Sequence, residues 1–258
     1  MTRIGERFRL LRAQGRKAFI GFVTAGDPSL ERTVDVALEL ERGGMDVLEL
    51  GVPFSDPLAD GPVIQRASER ALRRGTRLSD VLRAARGIRR RSAVPLLLFS
   101  YLNPLLRYGL DRLAREAQQA GVDGVLVVDL PPEEASGWIE TARSADLDAV
   151  FLASPTSPDE RLARIARASR GFVYAVSRTG VTGEQHVLSD EAASLVARVR
   201  GLTDEPVALG FGISTPEQFA AAGAVADGVV VGSALVRFLE ERPDGDVAEQ
   251  VRWLKSAL

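Results

Sequence analysis

The feature that most constrains this chain is an alternation repeated almost from end to end: a short apolar run, then a stretch with helical spacing. The apolar runs fall at 18–23, 46–51, 94–99, 124–128, 149–152, 172–176, 206–210 and 228–231. Helical spacing fills 30–42, 62–74, 79–91, 111–120, 133–145, 158–168, 190–200 and 215–223. A short helix then opens at Ser233, and a terminal helix runs from about 246. Apolar runs without polar alternation belong to strands covered on both faces, which assemble in parallel. Eight such units predict one closed (β/α)8 TIM barrel spanning residues 1–258 as a single domain. Residues 1–15, with Ile4, Phe8 and Leu11 among Arg and Glu, supply an extra N-terminal helix at the barrel bottom. The short helix after strand eight is a second addition. An open doubly wound sheet is the alternative, but the repeat continues unbroken at both ends of the chain.

Composition removes several classes of function. The chain has no cysteine, which excludes disulfides, thiolate catalysis and Cys-type zinc sites. Its single histidine, His186, rules out a multi-histidine metal centre, and no metal is expected. A formal net charge of -2 gives no general attraction to nucleic acid or to anionic membrane. The Arg73-Arg74 and Arg89-Arg90-Arg91 clusters read as solvated helix faces, because no aromatic platform interleaves them. No apolar run approaches the ~20 residues of a membrane span. A cytoplasmic protein is the expectation.

Glu49 breaks the apolar pattern of its strand. Burying a carboxylate costs several kcal/mol unless it is paired or protonated, so stability alone does not place one there. Side chains alternate across a strand: Val47, Glu49 and Gly51 share one face, Leu48 and Leu50 the other. The leucines face the outer helices and Glu49 faces the barrel mouth. The following segment, with three prolines and two aspartates, is a rigid loop that presents Asp60. Two carboxylates in unlike settings can divide acid and base work. By the same parity Tyr174 reaches the same cavity. Phe22, Phe99, Tyr101 and Phe211, at or just past strand ends, either line an apolar pocket suited to a flat aromatic ligand or simply pack in the core.

Two glycine-rich turns point to a phosphate. Gly210-Phe-Gly-Ile-Ser-Thr-Pro-Glu217 follows strand seven, and Val230-Val-Gly-Ser-Ala234 follows strand eight and opens the short helix. Loops after these two strands, with a helix N-terminus, form the usual phosphate cradle of this barrel. Ser177-Arg-Thr-Gly-Val-Thr-Gly-Glu184 is a loop long enough to fold over a ligand. His186 beside it reads as a solvent-exposed loop residue.

Four stretches together carry a family resemblance: Phe22-Val-Thr-Ala-Gly-Asp-Pro28, Glu49 to Pro62, Ser177 to Gly183, and Gly210-Phe-Gly-Ile-Ser214. In order and spacing the chain resembles the tryptophan synthase alpha subunit along nearly its whole length. The resemblance implies a lyase that splits indole-3-glycerol phosphate into indole and glyceraldehyde 3-phosphate. It makes Glu49 the general acid/base, Asp60 the partner of the indole N–H, and Tyr174 a helper near Glu49. Gly183, Gly212, Gly232 and Ser233 would hold the phosphate. Phe22, Leu126, Leu152 and Phe211 would sandwich the indole, and Thr182 would bring the strand-six loop against Asp60. It also implies a pyridoxal-phosphate-dependent beta subunit as partner in an alpha2beta2 tetramer, facing the 53–60 loop, Asn103-Pro104 and the Pro131 region. No cofactor would belong to this chain. A stand-alone indole-releasing lyase and a non-catalytic phosphate-binding regulatory barrel are the rival expectations. A Schiff-base aldolase is set aside because Lys17 and Lys255 lie near the termini.

Overall fold

The computed structural model describes residues 2–176, 190–210 and 212–257. The expected alternation is realised. Strands are β1 Ala18–Thr24, β2 Val47–Gly51, β3 Leu96–Ser100, β4 Gly124–Val127, β5 Asp148–Val150, β6 Leu152–Ala153, β7 Val173–Val176, β8 Val207–Gly210 and β9 Gly228–Val231. The helices of the first half are α1 Arg3–Ala13, α2 Leu30–Gly43, α3 Pro62–Arg73, α4 Leu78–Arg89, α5 Leu102–Tyr108 and α6 Leu110–Ala120. Those of the second half are α7 Ser136–Ser144, α8 Asp159–Ala168, α9 Asp190–Arg200, α10 Pro216–Val225, α11 Ser233–Glu241 and α12 Val247–Leu254.

Every strand pairing is parallel, in the order β5-β4-β3-β2-β1-β9-β8-β7-β6. The two ends of that order are consecutive in the chain and separated only by Phe151. The predicted fifth strand, 149–152, therefore exists as two short pieces. One half pairs with β4 and the other with β7, so the ring closes through the chain itself. The other departure is α5, which the apolar spacing does not announce. Its first turn carries Pro104, and its opening N–H, that of Leu102, donates to Asp129 Oδ1 (2.7 Å) from the far end of β4. A start signal supplied by a distant residue leaves no local trace.

Strand parity sorts the apolar side chains into two layers. Ile20, Val47, Leu97, Leu126, Phe172 and Val230 pack inside the barrel. Phe19, Leu48, Leu50, Leu96, Leu98 and Val229 face the helices. The bottom is closed by α1, whose Ile4, Phe8 and Leu11 join the inner layer, with the Phe8 ring centroid 5.6 Å from that of Phe172.

Aspartates at the strand entrances stitch the bottom together. Asp46, Asp123 and Asp227 each stand just before a strand and accept a backbone N–H from the start of its neighbour. The donors are Phe19 (3.0 Å), Leu96 (2.8 Å) and Val207 (3.0 Å). Asp123, 4% exposed, also binds Arg3 (2.7 Å) and Arg89 (2.9 Å), clasping α1 and α4 to the sheet. Removing one partner of such a buried set leaves the others desolvated and unpaired. Asp123→Ala should therefore cost about 3 kcal/mol or more of unfolding free energy by urea titration. A change below about 0.5 kcal/mol would show that the clasp contributes nothing.

Candidate active site

The C-terminal mouth of the barrel is where the pattern of apolar pairing breaks. On β2, Glu49 stands between Phe22 of β1 and Leu97 of β3 in the register. It is 1% exposed, and its Oε1 has no hydrogen-bond partner among the described residues. Burial pushes its carboxyl up to about 8. The side chain two positions on is absent by necessity. A Cβ at Gly51 would stand 2.6 Å from the Phe22 ring, which lies across that part of the wall.

Asp60 reaches the same mouth from the β2–α3 loop. Burial raises its carboxyl to about 6, and a hydrogen bond from Tyr101 holds the shift back. The Tyr101 hydroxyl donates to Asp60 Oδ2 (3.1 Å) and accepts the Ala59 N–H (3.0 Å). Its ring centroid lies 5.1 Å from that of Phe54. Tyr101 thus pins both ends of the loop segment that carries Asp60, a role in which its hydroxyl matters more than its ring.

Tyr174 lies within electrostatic reach of both carboxylates. Its phenol is held well above its ordinary range by burial first, then by the charges of Glu49 and of Asp60. A Cβ at Gly210 would collide with the Tyr174 hydroxyl, so β8 needs glycine there to make room for the tip of that side chain.

On the proposed phosphate side, Gly232 follows β9 and caps α11, of which Ser233 is the first residue. The first N–H groups of a helix have no partner within it and favour an anion. A Cβ built on Gly232 would lie 3.5 Å from Phe22 and 3.7 Å from Ile64, so this turn and Glu49 flank the same phenylalanine. Gly212 holds a φ of 74°, a conformation that side chains rarely adopt. Phe22 packs edge-on to Phe99 with centroids 5.2 Å apart. Leu126 is fully buried in the inner layer, and Leu152 is partly buried at its edge. Leu152 also borders a cavity of about 370 Å³ shared with Val128, Asp129, Pro131, Ser154 and Arg161. Thr182, Gly183, His186 and Phe211 lie outside the described residues, as does the 177–184 loop.

Two contributors escaped the sequence reading. Thr24, on the Phe22 face of β1 and in register with Gly51, buries its Oγ1 with no partner among the described residues. Strand parity counted two residues past Phe22 would have found it. The other is an ion-pair chain, Asp27–Arg70–Glu240–Arg66, linking the β1–α2 loop, α3 and α11. Nothing local in the sequence signals it. Among the described residues no group of three or more His, Cys, Asp or Glu could hold a metal, and no helix is long and apolar enough to cross a membrane.

The chain matches the family model described as tryptophan synthase alpha chain over residues 8–257. The tryptophan synthase alpha chain of Solibacter usitatus is 55% identical over 249 residues, covering 96% of this chain and 93% of that one. That of Geobacter sulfurreducens is 49% identical over 258 residues, covering 100% and 98%. Among solved structures, tryptophan synthase from Mycobacterium tuberculosis aligns with a TM-score of 0.92 at 42% identity, covering 99% of this chain and 98% of that one. Tryptophan synthase subunit alpha from Legionella pneumophila aligns at 0.90 and 39%, covering 100% and 97%.

A buried acid with a raised pKa has a signature in stability. The unfolded Glu49 ionises near 4, while the folded one stays neutral until about 8. Its presence therefore costs increasing stability as pH rises through that window, and the cost is absent below it. Glu49→Gln should raise the melting temperature at pH 8 and change it much less at pH 5, by calorimetry at both pH values. Equal shifts at the two pH values would mean that Glu49 is ionised in the folded chain throughout.

Proposed function

The chain belongs to the tryptophan synthase alpha chain family and catalyses its lyase reaction, the cleavage of indole-3-glycerol phosphate, and from that premise we propose how its side chains carry the reaction. Glu49, neutral at pH 7, gives its proton to C3 of the indole ring. The ring becomes an indoleninium, and ionised Asp60 accepts a hydrogen bond from its N–H and stabilises the positive charge. The Glu49 carboxylate so formed takes the proton of the hydroxyl on the adjoining glycerol carbon. The O–H electrons form the aldehyde carbonyl, the carbon–carbon bond breaks, and its electrons restore the aromatic ring. Indole and glyceraldehyde 3-phosphate depart, and Glu49 is again protonated. One residue thus acts as acid and then as base, which a pKa near the working pH favours.

Tyr174, kept as a neutral phenol, offers a donor beside Glu49. Gly183, Gly212, Gly232 and Ser233 hold the phosphate, with the α11 N-terminus contributing free N–H groups. Phe22, Leu126, Leu152 and Phe211 enclose the indole, Tyr101 braces Asp60, and Thr182 meets Asp60 from the strand-six loop. The observation that carries this reading is the buried Oε1 of Glu49, without a hydrogen-bond partner among the described residues, in a mouth where a second carboxylate acts on the same tyrosine. A regulatory barrel has no use for that arrangement, which lowers stability and helps only a proton transfer.

The partner in this reading is the pyridoxal-phosphate-dependent beta subunit, in an alpha2beta2 tetramer in the cytoplasm, and this chain needs no cofactor of its own. Two large apolar side chains near the mouth support a docking face there. Leu58 of the Asp60 loop is 92% exposed and Leu106 of α5 is 54% exposed. Leu58→Asp should weaken assembly with the beta subunit at least tenfold in sedimentation while leaving the melting temperature unchanged. Undiminished assembly would move the interface elsewhere.

The chemistry is tested by assaying indole release from indole-3-glycerol phosphate, with and without the beta subunit. kcat/KM should rise as Asp60 ionises near pH 6 and fall as Glu49 ionises near pH 8. Glu49→Gln should lower kcat at least ~100-fold, within the range for general acid–base groups. Asp60→Asn should be impaired and lose the acid limb. A flat profile, or Glu49→Gln with near-normal turnover, would overturn the assignment.

A further inference from the structure

We propose that Arg70 is a positioning residue for the cleavage, a clamp that fixes the distance between the Asp60 loop and the phosphate-binding helix. The proposal rests on the site assignment above and adds what holds its two halves in register. Arg70 lies two turns into α3, the helix that opens directly after Asp60. Its guanidinium forms a fork on Asp27, with Nε to Oδ1 at 2.8 Å and Nη2 to Oδ2 at 2.7 Å. Its remaining nitrogen, Nη1, donates to Glu240 Oε1 at 2.7 Å. Glu240 belongs to the last turn of α11, the helix that begins at Ser233, and it also takes a fork from Arg66 of α3. Asp27 stands in the middle of the β1–α2 loop, residues 25–29. That loop is itself fixed, because Gly26, at a φ of 87°, packs so closely on Thr76 that a Cβ would collide, and its N–H donates to Thr33 Oγ1 (2.9 Å).

One side chain therefore joins three segments of the mouth: the loop after β1, the helix after Asp60, and the helix whose N-terminus faces the phosphate. The apolar contact between α3 and α11 is made by Val63, Ala67 and Val236 around Phe22. Small apolar side chains of this kind hold helices together without fixing how far one has slid along the other. Directional, charge-assisted forks do fix it. The side chain of Asp27 is 6% exposed, so its pairing with Arg70 is dry enough to hold a single geometry. A substrate anchored at both ends, indole by Asp60 and phosphate by α11, gains from the second anchor only when the spacing matches.

The test uses three probes on the purified full chain: indole, glycerol 3-phosphate, and an indole joined to phosphate by a three-carbon chain without the cleavable hydroxyl. Glu240→Gln frees α11 from the clamp while leaving Asp27 paired. Arg70→Met frees both, and Arg70→Lys keeps the charge without the fork. In Glu240→Gln the two half-probes should bind within twofold of wild type, and the melting temperature should stay within a few degrees. The spanning probe should weaken at least tenfold, and kcat/KM for indole-3-glycerol phosphate should fall at least tenfold. Arg70→Met should show the same pattern more strongly, and Arg70→Lys should not restore it. Should Arg70→Met fail to fold, Glu240→Gln alone decides. Equal weakening of all three probes, or a spanning probe weakened no more than its halves, would reduce the network to a structural one and overturn the proposal. A wild-type chain that binds neither the spanning probe nor its halves would remove the site assignment and the clamp together.

Discussion

A carboxylate kept dry in a barrel wall, its Oε1 without a hydrogen-bond partner among the described residues, is the constraint around which the upper half of this molecule is arranged. Glu49 occupies an inward position of β2 by strand parity, among side chains that are otherwise apolar. Nothing described relieves its Oε1, so the group stays protonated to about pH 8. Its neighbours preserve this state rather than neutralise it. The Phe22 ring lies over Gly51 on the side toward the mouth, and Tyr174 lies against Gly210. An arginine in either place would pair with the carboxylate and lower its pKa, leaving it unable to donate a proton at neutral pH.

Such an arrangement needs rigidity from elsewhere, and the barrel divides the task between its ends. The bottom is interlocked. Asp46, Asp123 and Asp227 cap neighbouring strands, and α1 is held by Arg3 on Asp123. At the mouth, Glu49 Oε1 and Thr24 Oγ1 are buried without a hydrogen-bond partner among the described residues; Asp148 Oδ1 and Ser169 Oγ are the corresponding atoms at the bottom. Stability on one face and chemistry on the other is the division that parallel barrels allow, because the loops after the strands can vary without touching the core.

What the sequence discloses follows from periodicity. An alternation with a period of two assigns Glu49 and Tyr174 to the inside and Leu48 and Leu50 to the outside, and the buried layers agree. Features set by distant partners were not legible. The break at Phe151, the start of α5 on Asp129 and the Asp27–Arg70–Glu240 chain all depend on residues far apart in the chain. Tyr101 is the instructive intermediate case. Its position past a strand end pointed to the pocket, but its ring chemistry suggested an apolar wall. Only the geometry gives its hydroxyl to Asp60 and to the Ala59 N–H.

The two carboxylates differ for the same reason that they can cooperate. Both are raised by burial, yet Asp60 has Tyr101 to stabilise its charged form, and Glu49 has no counterpart among the described residues. The deeper burial of Glu49 and the Tyr101 donor on Asp60 separate them, leaving Asp60 ionised and Glu49 protonated across the interval from about 6 to about 8. In that interval the fixed negative charge can stabilise a cationic ring while the neutral acid supplies the proton that creates it. Exchanging their environments would exchange their roles and place the acid on a loop, where water could compete for its proton. The dry wall of the strand is therefore the better site for the proton donor, and the braced loop the better site for the anion.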